Sequence, residues 1–446
     1  MPLKAMNYLE SLHFLYAIGN EMPATKFDLD NIRRLCAALG HPERQFVSVL
    51  IAGTNGKGST AATLYSILLQ TGWAVGCYTS PHLVSPRERI RVGQEWISEE
   101  AFAFQISQVA ETASHLLSEG ELQAQPTFFE VLTAAMYSHL AAEGVRLAVL
   151  EVGMGGRLDA TNISCPILTI ITSLGMDHQQ YLGSHLEDIA VEKAGILRPQ
   201  VPILLGPVPL PADRVVEDRA LAIGAPLVRL QAAATLAPRS RADGFQRFDM
   251  TTTDRSYKDL CAPLRGPQQV TSTSLAVLAA EWIGRSYRPI STTQIYKGVR
   301  GTIWPGRIQV VREQPRLILD GAHNPDAAEN LAGFLEEEFP GGDLLIVFGV
   351  MQDKDYIGFG RRLFPLARNV FLTQSSNIRS ARVGLLVEAF RTAFQEKIVV
   401  CSRLEIALEE ALRQARPDSW IVVTGSLYLV GEAMGILGMD PLAPRG

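Results

Sequence analysis

The chain has 446 residues with 41 Lys and Arg against 46 Asp and Glu, a net charge of −5, which supports two or three domains and excludes the basic footprint of a nucleic-acid binder. Its five cysteines, Cys36, Cys77, Cys165, Cys261 and Cys401, contain no CxxC pair. That argues against a zinc site or a disulfide framework and predicts buried small hydrophobes in a reducing compartment. No uninterrupted apolar run reaches about 18 residues, and the first residues, with Lys4 and Glu10, lack an apolar h-region, so a soluble, cytoplasmic protein without a membrane segment is expected.

After an N-terminal helical stretch, the apolar run Phe46 to Ala52 leads directly into Gly53-Thr54-Asn55-Gly56-Lys57-Gly58-Ser59-Thr60. A strand, a glycine-rich turn and then the apolar-periodic segment Leu64, Ile67, Leu68 form the setting of a phosphate cradle. Small residues let backbone N–H groups turn onto an oxyanion, the lysine adds a point charge, and Ser59 and Thr60 open a helix at its positive end. The spacing is a variant, with two residues between Gly53 and Gly56 where the usual P-loop has four.

Further runs, Ala74 to Tyr78, Leu147 to Val152, Ile167 to Thr172 and Ile203 to Leu205, alternate with helix-like segments. They predict a mostly parallel sheet whose ligands bind beyond the carboxyl ends of its strands. Two of those ends carry chemistry. Glu151 closes one strand ahead of Gly153, Gly155, Gly156, Arg157 and Asp159, and a carboxylate there can hold magnesium together with a hydroxyl and phosphates. Asp177 and His178 follow the next strand, and Lys193 ends a helix-like segment that returns it toward the same rim. From about Pro207 to Pro267 no clean period exists, and only peripheral strands and a helix are expected. Trp304-Pro305-Gly306-Arg307 then breaks any helix. A second alternating series follows, Leu317 to Leu319, Leu344 to Phe348, Val370 to Leu372, Ile398 to Val400 and Trp420 to Thr424. The expected architecture is α/β: a P-loop-containing, mostly parallel sheet domain over residues 1–301, then a smaller Rossmann-like domain over 302–446.

Gly53 to Ser59, Thr79 to Leu83, Glu151 to Asn162, Asp177-His178, Glu192 to Gly195, Pro305 to Arg307, Asp320 to Pro325 and Thr424 to Tyr428 occur in the order of one family. The chain resembles folylpolyglutamate synthase and the bifunctional dihydrofolate synthase, within the Mur-type ATP-dependent amide ligases, from about Tyr8 to Tyr428. The resemblance implies joining of L-glutamate to a pterin-bearing acid, tetrahydrofolate or dihydropteroate, with cleavage of ATP. It implies that Thr54 to Thr60 hold the triphosphate, that Ser80 and Glu151 ligate one magnesium, and that His178 serves a second metal position. Lys193 matches a lysine that carbon dioxide converts to a carbamate, giving an anionic oxygen ligand. Arg307 and Asp320 match nucleotide contacts, which puts ATP between the domains, and His323 and Ser426 match residues near the incoming glutamate. Thr127, Phe128, Phe129 and Glu130, with Arg157, Leu158 and Asp159, match the pterin side, and Lys26 to Leu29 a substrate loop.

One departure concerns adenine. Where the family carries an asparagine near a helix start, at about Thr273, this chain has Ser272, whose hydroxyl supplies only part of an amide's two-sided hydrogen bonding. Among rival readings, a cell-wall Mur ligase is disfavoured because its nucleotide-sugar domain normally precedes the P-loop, and 52 residues precede Gly53 here. A P-loop hydrolase without ligase activity would turn over ATP without acid or amine. The expected enzyme is a monomer with catalytic Lys57, Lys193, His178 and His323.

Overall fold

The computed structural model describes residues 6–19, 28–242 and 244–442. Two α/β domains are built on two parallel-rich sheets. The larger contains β1 (Val47–Ala52), β2 (Val75–Tyr78), β3 (Ile90–Val92), β4 (Glu95–Trp96), β5 (Leu147–Glu151), β6 (Pro166–Ile171), β7 (Ile203–Leu205) and β8 (Leu227–Arg229). Its strand order is β4-β3-β2-β5-β1-β6-β7-β8, parallel from β2 to β8, with β3 and β4 added antiparallel at one edge.

The strand residues alternate between two cores. Leu50, Ala52, Ala148, Leu150 and Ile171 pack on one side, and Val49, Ile51, Leu147, Val149 and Ile170 on the other. Burial on both faces explains why these strands read in the sequence as continuous apolar runs. From β1 the chain leaves past β5 toward β2, whereas from β6 it leaves in the opposite direction toward β7. This divergence opens a crevice beyond the carboxyl ends of β1 and β6, where Gly53 to Gly56 and Ser173 to His178 sit.

The segment without a clear period holds the helix Leu210–Ile223 and an antiparallel sheet of β9 (Ala234–Ala242), β10 (Phe245–Thr252) and β11 (Ser256–Arg265), ordered β11-β10-β9. Its inner face joins the core of the P-loop helix Lys57–Leu69 through Phe248, Met250, Tyr257 and Leu260. Burial alternates along β10, but Gln246 takes an inward place and Phe245 a half-exposed one, so apolar and polar residues do not alternate in its sequence; register shifts also interrupt both of its ladders.

The second domain has β12 (Gln309–Glu313), β13 (Arg316–Leu319), β14 (Leu344–Phe348), β15 (Asn369–Leu372), β16 (Ile398–Val400) and β17 (Trp420–Thr424) in the order β12-β13-β17-β14-β15-β16. All pairs are parallel except β12 with β13. It too is covered on both faces, by Ile318, Ile346, Val370 and Val422 on one and Leu317, Leu345, Phe371 and Ile421 on the other. The domains approach closely at Gly431 in the helix Leu427–Ile436, where a Cβ would fall 1.8 Å from the Leu83 carbonyl oxygen. Only glycine lets that helix lie on the Pro81 to Ser85 loop.

Cys36, Cys77 and Cys401 are buried, but Cys165 is exposed and Cys261 half-buried, so the expectation of uniform burial is corrected at those two positions; all five are unpaired thiols. Cys165 lies in the loop before β6. Among the described residues no helix is long and apolar enough to cross a membrane. Lys4, Lys26 and Phe27 lie outside the described residues; Asp28 and Leu29 of the expected substrate loop are described.

Candidate active site

The cradle is held from the neighbouring strand end. Gly53 has φ +147°, and a Cβ there would sit 2.0 Å from Thr172 Oγ1. The position therefore requires glycine both for its backbone conformation and for space. Thr54 N–H donates to Ser173 O at 2.8 Å, Thr54 Oγ1 bonds Gly175 O at 3.1 Å, Asn55 N–H donates to Ser173 Oγ at 3.0 Å, and Thr172 Oγ1 donates to Asn55 O at 2.7 Å. The helix Lys57–Leu69 then begins at Gly56 with no side-chain cap. Its first N–H groups and its positive dipole end face a cavity of ≈ 460 Å³, the arrangement that suits an oxyanion.

Two lysines meet at this mouth. Lys57 Nζ donates to Gly53 O at 3.0 Å and Thr54 O at 3.2 Å, and Lys193 Nζ donates to the same Gly53 carbonyl at 3.0 Å. Lys193 comes from the last turn of the helix Leu186–Ala194. Burial and the neighbouring Lys57 charge push its amine down to about 7. Burial lowers Lys57 too, opposed by the carboxylates of Glu151 and Asp177.

Glu151, at the end of β5, is buried and accepts Ser80 N–H at 3.1 Å; burial raises its carboxyl against the pull of Lys57. His178 has a left-handed backbone, φ 52°. Its Nε2 accepts from Lys354 Nζ at 3.3 Å, while its Nδ1 is buried with no partner. Burial and the Lys354 charge push the imidazole down to about 3, so it is neutral at working pH, the form that ligates a metal. A buried carboxylate fits a hard divalent cation that also takes phosphate oxygens, whereas His178, whose Nδ1 carries the proton while Nε2 accepts from Lys354, could ligate a metal only through Nε2 with Lys354 moved aside. Among the described residues no three His, Cys, Asp or Glu side chains come together as a metal cage. The remaining ligands of such a cation would be phosphates, hydroxyl and water.

Opposite the cradle, Asp320 follows β13. Its oxygens accept the N–H groups of Ile308 and Ala322, both at 2.9 Å, and so fold the turn carrying Arg307 back onto the cavity. Burial raises the Asp320 carboxyl, with Arg307 opposing. Ser272 is buried, and a Cβ on Gly56 would lie 3.3 Å from its Oγ, so it faces the cradle. It sits in the second turn of the helix Gln268–Ser286, which begins earlier than the expected start at about Thr273.

A second cavity, of ≈ 880 Å³, lies beside the first. The wall between them is shared: Ser80, Gly153, Gly155, His178, His323 and Leu427 border both. Its far side carries Phe129, Leu158, Thr127, Glu130, Arg157 and Asp159 from the first domain, and Ser426, Lys354 and Arg379 from the second. Thr127 and Glu130 form a capping box at the start of the helix Phe128–Ala142, with Thr127 N–H to Glu130 Oε2 at 2.8 Å. Asp159 takes Met154 N–H at 3.0 Å on one oxygen and the hydroxyl and N–H of Thr161 on the other. Arg157 is held by Glu192 at 2.7 Å. Ser426 caps the helix Leu427–Ile436 by accepting Tyr428 N–H at 3.1 Å.

Two expected contacts fall outside both cavities. Phe128 is turned into the core beneath the guanidinium of Arg89, 5.4 Å from its ring centre, because consecutive residues of a helix point about 100° apart and Phe129 takes the open face. Thr60 is fully buried in the second half of the first helical turn, and its hydroxyl has no partner.

The sequence reading missed Arg89, Asn324, Lys354 and Arg379. Lys354 and Arg379 lie in loops beyond β14 and β15, so the strand-end rule, applied to the second domain as it was to the first, would have found them. Arg89, bonded through Nε to His82 Nδ1 at 2.9 Å, lies ahead of the antiparallel strand β3 and carries no such signal.

The Mur ligase middle domain pattern matches residues 51–204, and that of the Mur ligase glutamate ligase domain matches residues 306–427. A Bacillus subtilis dihydrofolate synthase/folylpolyglutamate synthase is 35% identical over 406 residues, covering 91% of this chain and 93% of its own. Among solved structures, Escherichia coli FolC in complex with DHPP and ADP has a TM-score of 0.86 at 30% identity, covering 98% of this chain and 99% of its own. Mycobacterium tuberculosis folylpolyglutamate synthase complexed with ADP and AMPPCP has a TM-score of 0.90 at 29% identity, covering 98% and 100%.

Proposed function

Because the chain belongs to the folylpolyglutamate synthase/dihydrofolate synthase family of Mur-type ligases, we propose that it uses ATP to join the amino group of L-glutamate to the carboxylate of a reduced folate, and to that of dihydropteroate. The observation that carries this reading is the shared wall. One cavity has a phosphate cradle, the other an aromatic and polar lining, and Ser80, His178 and His323 border both. A carboxylate held in the larger cavity can thus meet the γ-phosphoryl group at the wall.

In the proposed sequence a carboxylate oxygen attacks the γ-phosphorus, the bond to the β,γ-bridging oxygen breaks, and ADP leaves. The amine of glutamate then attacks the acyl carbon, phosphate departs with one oxygen of the original carboxylate, and the amine loses a proton. Lys57 and the N–H groups of Gly56 to Ser59 neutralise charge on the transferring group. Asp320 holds Arg307 toward the nucleotide. Phe129 offers a ring face to the pterin, with Thr127, Glu130, Arg157, Leu158 and Asp159 shaping its pocket. His323 and Ser426 face the incoming glutamate.

We assign magnesium to two positions, one held by Ser80 and Glu151 and the other by His178 and a carbamate on Lys193. Magnesium there would offset phosphate charge and orient the γ-phosphoryl group. An amine lowered to about 7 is in good part neutral at physiological pH and open to carbon dioxide, and the resulting anion relieves its repulsion with Lys57. We place the domain boundary at residues 301–302 and read the protein as a cytoplasmic monomer.

The test is incubation of purified protein with ATP, magnesium, glutamate and each acid in turn, followed by weighing the products. Adducts increasing by single glutamyl units, with ADP release that needs both acid and amine, are expected. Phosphate release indifferent to acid and amine would support a P-loop hydrolase instead.

A further inference from the structure

Asp177 is the meeting point of the two domains. Its Oδ1 accepts Lys354 Nζ at 2.6 Å, and its Oδ2 accepts Asn324 Nδ2 at 3.2 Å and lies 3.6 Å from His323 Nε2. All three partners come from the second domain. Both sides of the ion pair are nearly enclosed, with side-chain exposures of 8% for Asp177 and 7% for Lys354. Asn324 also pairs reciprocally with Asn55 of the cradle, at 3.1 and 3.2 Å, while its own Oδ1 caps the helix Pro325–Glu338 through Ala327 N–H at 2.9 Å. One rigid helix start is thereby tied to both Asp177 and the phosphate loop.

We propose that Asp177 is a positioning residue, a fixed anion on the first domain that draws Asn324, His323 and Lys354 onto the wall shared by the two cavities and specifies the closed arrangement of the domains. A local role alone, the bond from His178 N–H to Asp177 Oδ1 at 2.8 Å, would not recruit three groups from across the cleft. A charged pair in near-dry surroundings contributes little net stability, but removing either partner strands the other, so it specifies one arrangement over others. Asp326 opposes it: this like charge stands close to the same loop, where a Cβ on Gly175 would fall 2.0 Å from its Oδ2. Closure therefore depends on the hydrogen bonds from Lys354 and Asn324 outweighing that repulsion. Lys354 and His323 also border the larger cavity, so losing the clasp would misplace them for the reaction proposed above, on which the kinetic part of this inference rests.

The test combines Asp177→Asn, Lys354→Met and their double variant, with Asn324→Ala made from the other side should Asp177→Asn fail to fold. Interdomain distance is read in protein saturated with ATP from a fluorescent label on each domain. Glutamate KM and kcat are read separately. Each single substitution is expected to lengthen the mean distance and cut kcat/KM on the order of 10²-fold, as a displacement of about 1 Å can do. The double variant should be within about 2-fold of the worse single, because both remove one interaction. Unchanged distances in the single variants, or kinetic losses that multiply in the double, would overturn the clasp. The distance needs neither acid nor glutamate, so a failed ligase reading would leave that arm standing, and an open but still ligating variant would leave the ligase reading standing.

Discussion

The phosphate cradle and the wall between the two cavities are built in opposite ways. The cradle is one stretch of seven residues from Gly53 to Ser59, fixed by the adjoining loop after β6. The wall is assembled from residues as distant as Asp177 and Lys354, 177 positions apart, and exists only where the domains meet. A local motif binds a group common to many reactions. In the proposed reaction the composite wall would decide which acceptor that group reaches.

The hardest break in this comparison is Lys57→Ala. Its amine bonds only carbonyls of the loop itself, so ligation should fall at least on the order of 10²- to 10³-fold while the protein still melts cooperatively. Turnover paired with a thermal melt checks both. A smaller loss, about 10²-fold, is expected for Lys193→Ala, and added short-chain carboxylates should restore part of it if the carbamate supplies a metal ligand. Mass spectrometry finding a bare amine on active, metal-loaded protein would remove the carbamate.

On the other side of the wall, Phe129→Ala should raise the KM for the acid roughly 10-fold, the value of one or two kcal/mol of ring contact, and leave the KM for ATP alone. Phe128→Ala should do the reverse, costing about 3–5 kcal/mol of stability with little change in acid KM of the folded enzyme. Denaturant melts beside initial-rate kinetics separate the two. If both rings moved KM alike, the division between cavity and core at this helix start would be wrong.

The mildest effect is on pH. The Lys193 amine, held down to about 7, is protonated below that value and neutral above it, so turnover should rise through about pH 7 and respond to bicarbonate. For stability the sign follows from the unfolded chain binding the extra proton between about 7 and the ordinary lysine value near 10.4. The penalty from Lys193 is full below about 7 and fades as pH rises. Lys193→Met should thus be the more stable protein at neutral pH, with its advantage shrinking toward pH 10 in parallel melts.

Much of this was legible because parallel strands buried on both faces leave continuous apolar runs, and because strand ends carry ligands. Five such runs in each domain lie within a residue of their observed positions, and Lys57, Glu151, His178, Lys193, Arg307 and Asp320 all border the cavity at the cradle. What stayed hidden has physical reasons. Along the antiparallel strand β10 burial alternates, but buried Gln246 and half-exposed Phe245 hide it in the sequence. The pairing of Phe128 with core and Phe129 with cavity depends on where a helix starts, and that depends on the Thr127 to Glu130 capping box. The links from Asn55 to Asn324 and from Asp177 to Lys354 are tertiary, and neither residue alone announces its partner.

If the γ-phosphoryl group crosses the shared wall to a carboxylate, an isotope on that carboxylate must follow it into phosphate. With both carboxylate oxygens of the acid labelled as ¹⁸O, the released inorganic phosphate should carry one labelled oxygen for each glutamyl bond formed. Glutamylated product accompanied by unlabelled phosphate would contradict passage through an acyl phosphate.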